Sequence, residues 1–231
     1  MTAPYVKHTI QDGISTIEFF HPAHNSLPGD LLAKLADTIT QAGENDAVKV
    51  LILKSGGDRT FCAGASFKEL VSINDPETGR IFFSGFANVI NAMRKCPKFI
   101  IGRIQGKTVG GGVGLASATD YCMASKFAAI KLSELNVGIG PFVVGPAVER
   151  KLGLTGMSQI AIDANTFYDA QWAMQKGLYA SVHDCNSLSE HRFILRPPSE
   201  NIHSPGGTWA WKAGVTSWRE LGELGGAVVT A

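Results

Sequence analysis

The chain predicts an α/β fold in which a sheet is laid down first and helices finish it, and three observations carry that prediction. Val48 to Leu53, interrupted by Lys49, and Phe99 to Ile104, interrupted by Gly102 and Arg103, are short, mostly apolar runs rich in β-branched residues, the character of strands covered on both faces. Each is followed by a loop of tiny residues, Cys62-Ala63-Gly64-Ala65 and Gly110-Gly111-Gly112, and then by a helical pattern, so one unit occurs twice. Ahead of both, Tyr5 to Ile10 and Ile14 to Phe20 flank Asp12-Gly13, a dipeptide that favours positive φ and therefore a tight β-hairpin.

The remaining elements follow in order. Ser26 is placed to cap a helix whose apolar positions Leu27, Leu31, Leu32, Leu35 and Ile39 keep the helical period. A second helix is expected from about Pro76 to Arg94, and Tyr121 to Ala124 and Ala128 to Leu132 read as strands, with Glu134 directly after. Gly138-Ile139-Gly140-Pro141 must turn, and short helical patterns run through Val144 to Lys151, Met157 to Ala164 and Asp169 to Gln175. From Ser187 the periodicity fails, and Arg196-Pro197-Pro198 and Ser204-Pro205-Gly206-Gly207 replace it. The chain therefore divides into a core, 1–186, and an atypical segment, 187–231, which reads either as an irregular tail or as an out-of-frame translation of a helical terminus.

At 231 residues with 45% apolar positions, one domain can bury its own core. Lys plus Arg number 21 against 20 Asp plus Glu, so the broad field that recruits nucleic acid or an anionic membrane is not expected. Cys62, Cys96, Cys122 and Cys185 form no CxxC and fit reduced thiols. His21 and His24 are spaced H-x-x-H without a third ligand, so no metal is expected. Met1 to Gln11 lacks the basic start and apolar run of a signal peptide, and no run approaches the ~20 apolar residues that span a bilayer. The expectation is a soluble, cytoplasmic protein whose partner is a small molecule or a second copy.

A backbone N–H can stabilise a developing oxyanion only where no side chain blocks it, which suits Gly and Ala at a strand-to-helix turn. Phe61-Cys62-Ala63-Gly64-Ala65 and Val109-Gly110-Gly111-Gly112-Val113-Gly114 have that character beside apolar strands. The alternative for either run is a close helix-to-sheet contact. Neither matches GxxxxGK[ST] or GxGxxG, and GxSxG is absent, so nucleotide binding and serine hydrolysis lose ground.

Taken together, these runs resemble the crotonase superfamily, the enoyl-CoA hydratase and isomerase family, over about Tyr5 to His183. His21 to Leu27 is similar to its N-terminal loop, Phe61 to Leu70 to its CAGAD-type segment, Val109 to Asp120 to its GGG segment and Leu132 to Pro141 to its Glu-bearing segment. The resemblance implies a crotonase-like (ClpP/crotonase) fold of repeated ββα units with a helical C-terminal part. It places oxyanion-hole amides on Ala65 and Gly111, CoA contacts near His24, Ser26, Ala63 and Lys68, and the catalytic carboxylate on Glu134. Ser66 stands where the family usually has Asp, which leaves a backbone donor untouched. Gly114 stands where two-carboxylate hydratases carry a Glu, so that position is vacant.

The resemblance further implies an acyl-CoA substrate with no separate cofactor, CoA being part of the substrate, and a homotrimer or dimer of trimers. One carboxylate suffices to shuttle a proton between Cα and Cγ, which favours 3-enoyl to 2-enoyl isomerisation, whereas hydration divides its labour between two. A 2-enoyl-CoA hydratase and a non-catalytic CoA-ester-binding protein are the alternatives. Asp75, Glu77 or Glu69 could supply a second acid. Glu134 enclosed by Leu132, Leu135, Ile139 and Phe142 would have a raised pKa; its alternative role is an exposed strand-end carboxylate in a salt bridge.

Overall fold

Asp12 and Gly13 both adopt positive φ, 51° and 79°, the conformation of a two-residue type I′ turn. They join β1 (Tyr5–Gln11) to β2 (Ile14–Phe20) in antiparallel register. This is a computed structural model, and it describes residues 3–184. The atypical segment 187–231, and Cys185 with it, lie outside the described residues.

β2 continues into a parallel array. β3 (Val50–Ser55), β5 (Phe99–Ile104), β7 (Tyr121–Ser125) and β9 (Ser181–His183) extend it in that order, giving a six-stranded sheet β1-β2-β3-β5-β7-β9. The apolar runs read from the sequence form its centre, and Leu51, Leu53, Ile100 and Ile104 are buried as a parallel sheet covered by helices requires. α1 (Gly29–Glu44) buries Leu31, Leu32, Leu35 and Ile39, and it packs beside α3 (Pro76–Lys95), which buries Phe86, Val89, Ile90 and Met93. Asp75 caps α3, accepting from the N–H groups of Glu77 and Thr78.

Three expectations change. Ser26 does not cap α1: the helix starts two residues later, behind Pro28, without a side-chain cap, and the Ser26 hydroxyl donates to the Ala65 carbonyl at 2.9 Å instead. Helices do not simply finish the sheet, because β9 returns to its edge after α6 (Ala170–Gln175). The patterns at Val144 to Lys151 and Met157 to Ala164 hold as two helical segments within α5 (Gly145–Ile162), separated at Gly153, whose φ of 68° and ψ of 167° are not helical. Finally, Ala128 to Leu132 yields only β8 (Ile130–Lys131).

That short strand belongs to a second sheet that periodicity could not reveal. β4 (Thr60–Cys62), β6 (Lys107–Val109) and β8 pair in parallel, in the order β4-β6-β8. Strands of two or three residues are below the length at which alternation is readable. They nevertheless decide where the chemistry sits, because each ends at one of the segments singled out above.

Candidate active site

The chain leaves the C-terminal ends of the three short strands toward a common space, the side on which open α/β sheets present their ligands. β4 leads into Ala63-Gly64-Ala65, β6 into Gly110 and the N-terminus of α4 (Gly111–Ala118), and β8 into the 3-10 turn Glu134–Val137. The two loops touch: a Cβ on Gly64 would lie 3.2 Å from the Val109 carbonyl oxygen and 3.6 Å from the Gly111 nitrogen. Gly64 and Gly110 hold φ of 89° and 53°, values a residue with a Cβ rarely adopts. The N–H groups of Ala65 and Gly111 have no acceptor among the described residues, and both residues line one cavity of about 210 Å³. They are free to donate to a ligand oxygen, the second of them from a helix N-terminus.

The cavity holds one ionisable side chain among the described residues, Glu134. One carboxylate oxygen, Oε1, lies 3.1 Å from where a Cβ on Gly110 would stand, so a side chain there would push into the carboxylate. The other, Oε2, is buried without a hydrogen-bond partner. Burial raises the Glu134 pKa above its ordinary value, and hydrogen bonds from the backbone N–H groups of Glu134 and Ser133 offset part of that rise. A partly desolvated carboxylate facing two unused amide donors can take a proton from a carbon acid whose oxygen those donors hold.

The shell that encloses Glu134 differs from the expected one. Leu135 and Phe142 point to solvent, at 47% and 85% exposure. Ile139 lines the cavity, joined by Val143 and Val144 at the start of α5 and by Phe82, Phe83 and Phe86 of α3. The α3 aromatics were readable as an i, i+1, i+4 apolar cluster, although nothing local to them indicates which site they face. Phe86 also supports the loop itself, since a Cβ on Gly111 would stand 2.5 Å from its ring.

Gly114 is fully enclosed. A Cβ there would meet Val144 Cγ1 at 2.5 Å and Ile90 Cδ1 at 3.2 Å. The position that the resemblance marks for a second carboxylate is thus filled by apolar side chains, Val144 at the N-cap of α5 and Ile90 of α3. The other acids lie elsewhere: Glu69 accepts from the Gly29 N–H at the start of α1, Asp75 caps α3, and Glu77 pairs with Arg80 on its exposed face. None of the three lines the cavity.

Of the positions assigned to CoA by resemblance, Ala63 lines the cavity, and His24, Ser26 and Lys68 are not among its lining residues. Ser26 holds the Ala65 carbonyl, Lys68 is exposed on the one-turn helix α2 (Phe67–Leu70), and His24 is exposed with φ of 54°. Neighbouring His21 uses its Nδ1 to accept from the Ala23 N–H at 3.2 Å. Asn25, whose role the sequence did not disclose, is buried at φ 56°. Its Nδ2 donates to the carbonyls of Gly56 and Thr60 at 2.9 and 2.8 Å, and its Oδ1 accepts from the His21 N–H at 2.8 Å. The Ala63 N–H in turn donates to the Asn25 carbonyl at 3.3 Å, so Asn25 ties the N-terminal loop to the strand that delivers Ala65.

Comparison with known proteins agrees with this fold. The enoyl-CoA hydratase/isomerase family model matches residues 9–195. The mitochondrial enoyl-CoA hydratase domain-containing protein 2 of Homo sapiens is 33% identical over 130 residues, 56% of this chain and 44% of that protein. The trans-2-decenoyl-[acyl-carrier-protein] isomerase of Streptococcus mutans is 22% identical over 228 residues, 95% of this chain and 86% of that protein. Among solved structures, the enoyl-CoA hydratase of Bacillus anthracis aligns with a TM-score of 0.75 at 27% identity, covering 80% of this chain and 72% of that one. The chain spans about half the length of curated relatives such as the human protein.

Proposed function

Because this chain belongs to the enoyl-CoA hydratase/isomerase family of the crotonase superfamily, we propose that it isomerises a 3-enoyl-CoA to a 2-enoyl-CoA with Glu134 as the single proton carrier. The observation that carries this reading is the solitary carboxylate: Glu134 is the one ionisable group in the cavity among the described residues, and Val144 and Ile90 fill the space beside Gly114. The Ala65 and Gly111 amides hold the thioester oxygen as it gains charge. The Glu134 carboxylate removes a proton from C2, the electron pair delocalises through the enolate onto C4, and protonated Glu134 returns the proton there. The double bond moves from C3–C4 to C2–C3 and the carboxylate is regenerated.

A hydratase is the second reading, favoured by the names of the human and Bacillus anthracis relatives. Addition of water at C3 requires that Glu134 activate water and also manage the proton reaching C2, a division that one carboxylate serves poorly. A homotrimer acting on acyl-CoA without a separate cofactor is part of the same proposal, and sedimentation of the purified protein measures its assembly. The deciding experiment incubates the protein with 3-enoyl-CoA and with 2-enoyl-CoA in D2O. Interconversion with deuterium entering C2 and C4 and no 3-hydroxyacyl product is expected. Accumulation of 3-hydroxyacyl-CoA would replace this reading with hydration, and binding without conversion would replace it with a non-catalytic CoA-ester protein.

A further inference from the structure

A second cavity, of about 340 Å³, lies on the far side of Val143 from the first, and Val143 lines both. Its walls come from α3, the end of α4 and the start of α5, and they contribute Asn91, Arg94, Ser117 and Arg150. Among the described residues the two arginines, both exposed, have no ion-pair partner, and no acidic side chain lines the space. Ser117 is fully buried, and its hydroxyl is one of the three buried side-chain polar atoms without a hydrogen-bond partner among the described residues. Another of the three is the Glu134 oxygen in the first cavity. An unpartnered buried hydroxyl is costly, and it points to a ligand here as it does there.

We infer that this second cavity is a carboxylate-binding site. Two guanidinium groups present planar donor forks that match a carboxylate, Ser117 and Asn91 add neutral donors, and the absence of acids leaves the charge uncompensated. The size falls within the ~300–1,000 Å³ of small-molecule sites. Two sources share that chemistry. One is the far end of a dicarboxylic acyl chain reaching past Val143, which rests on the enoyl-CoA reading; the other is a free small dicarboxylate, which does not.

The full chain titrated calorimetrically with glutarate, and with neutral glutaramide as control, tests the site without reference to catalysis. Saturable binding of glutarate alone is expected, weakened about tenfold or more by Arg94→Gln or Arg150→Gln and less by Ser117→Ala. In parallel, KM is compared for enoyl-CoA esters of equal length with and without a terminal carboxylate. A KM increase in the arginine variants confined to the carboxylated ester assigns the site to the acyl chain. Glutarate binding that persists beside a bound CoA ester, with no such KM difference, assigns it to a free carboxylate. No saturable glutarate binding together with no KM difference overturns the inference. Loss of all enoyl-CoA turnover with glutarate binding intact would instead overturn the proposed reaction and leave this site standing.

Discussion

The two walls of the cavity that holds Glu134 are built by opposite means. One wall is backbone: Ala65 and Gly111 present amides from tightly packed loops, each fixed by a strand end, a buried neighbour and the space that glycine leaves open. The facing wall is side chain: α2 has four residues and none buried, and Phe67 and Phe83 are 63% and 37% exposed. Chemistry that depends on fractions of an ångström sits on the packed wall. The surface that meets the variable part of a substrate sits on the loose one, where adjustment is cheap.

Substitutions can break that contrast. The largest effect is expected from Glu134→Gln, which removes the proposed proton carrier: turnover should fall about 10²- to 10⁴-fold while the dissociation constant for a CoA ester, read by calorimetry, stays nearly unchanged. Gly111→Ala comes next. Its methyl would meet the Phe86 ring at 2.5 Å, so denaturant melts should show a loss of about 1–3 kcal/mol, and displacement of the amide should cost turnover up to about 10²-fold. Asn25→Ala takes the side-chain partner from the Gly56 carbonyl and the His21 N–H, while the Thr60 carbonyl keeps Gln105 as a donor, and it should destabilise by about 1–3 kcal/mol, with a smaller loss of turnover. On the loose wall, Phe83→Ala should alter KM only a few-fold, and mainly for longer acyl chains. A turnover loss there as large as at Gly111 would erase the distinction.

Acidity sharpens the same comparison. The folded-state pKa of Glu134 is raised above its ordinary 4.5, so the native protein holds that proton at pH values where the unfolded chain has released it. Its contribution to stability is favourable below 4.5 and is lost as pH rises through the raised value. Glu134→Gln should therefore raise Tm at neutral pH, with the gain shrinking as pH falls toward 4.5. The wild-type rate should climb with pH through the raised value as the carboxylate forms. A rate that is flat with pH across that range would contradict a buried Glu134 base.

Much of the frame was legible because it is written in local chemistry. Asp12-Gly13 announced the first hairpin, Phe99–Ile104 is the strand that its apolar run predicts, and Pro76–Lys95 differs from expectation by one residue. Membership of the family was legible because the small-residue loops and the Glu segment keep order and spacing. What escaped was non-local. β4, β6 and β8 are too short to show a period, and they form a sheet only with one another. Ser26 looks like a helix cap until its acceptor, Ala65, is brought beside it by the fold. The apolar filling beside Gly114 comes from Val144 and Ile90, residues distant in sequence whose convergence no motif records.

The second, three-stranded sheet has a geometric consequence for the path of a proton. All three of its strands run parallel and release the two amides and the one carboxylate at the same end. An enolate whose oxygen is pinned by the amides therefore offers a single face to Glu134. In the proposed isomerisation, removal at C2 and return at C4 would then be suprafacial, and the hydrogen that leaves would be the hydrogen that arrives unless solvent intervenes. A 3-enoyl-CoA deuterated at C2 and converted in ordinary water should carry part of its label to C4, with one prochiral position at each carbon taking part.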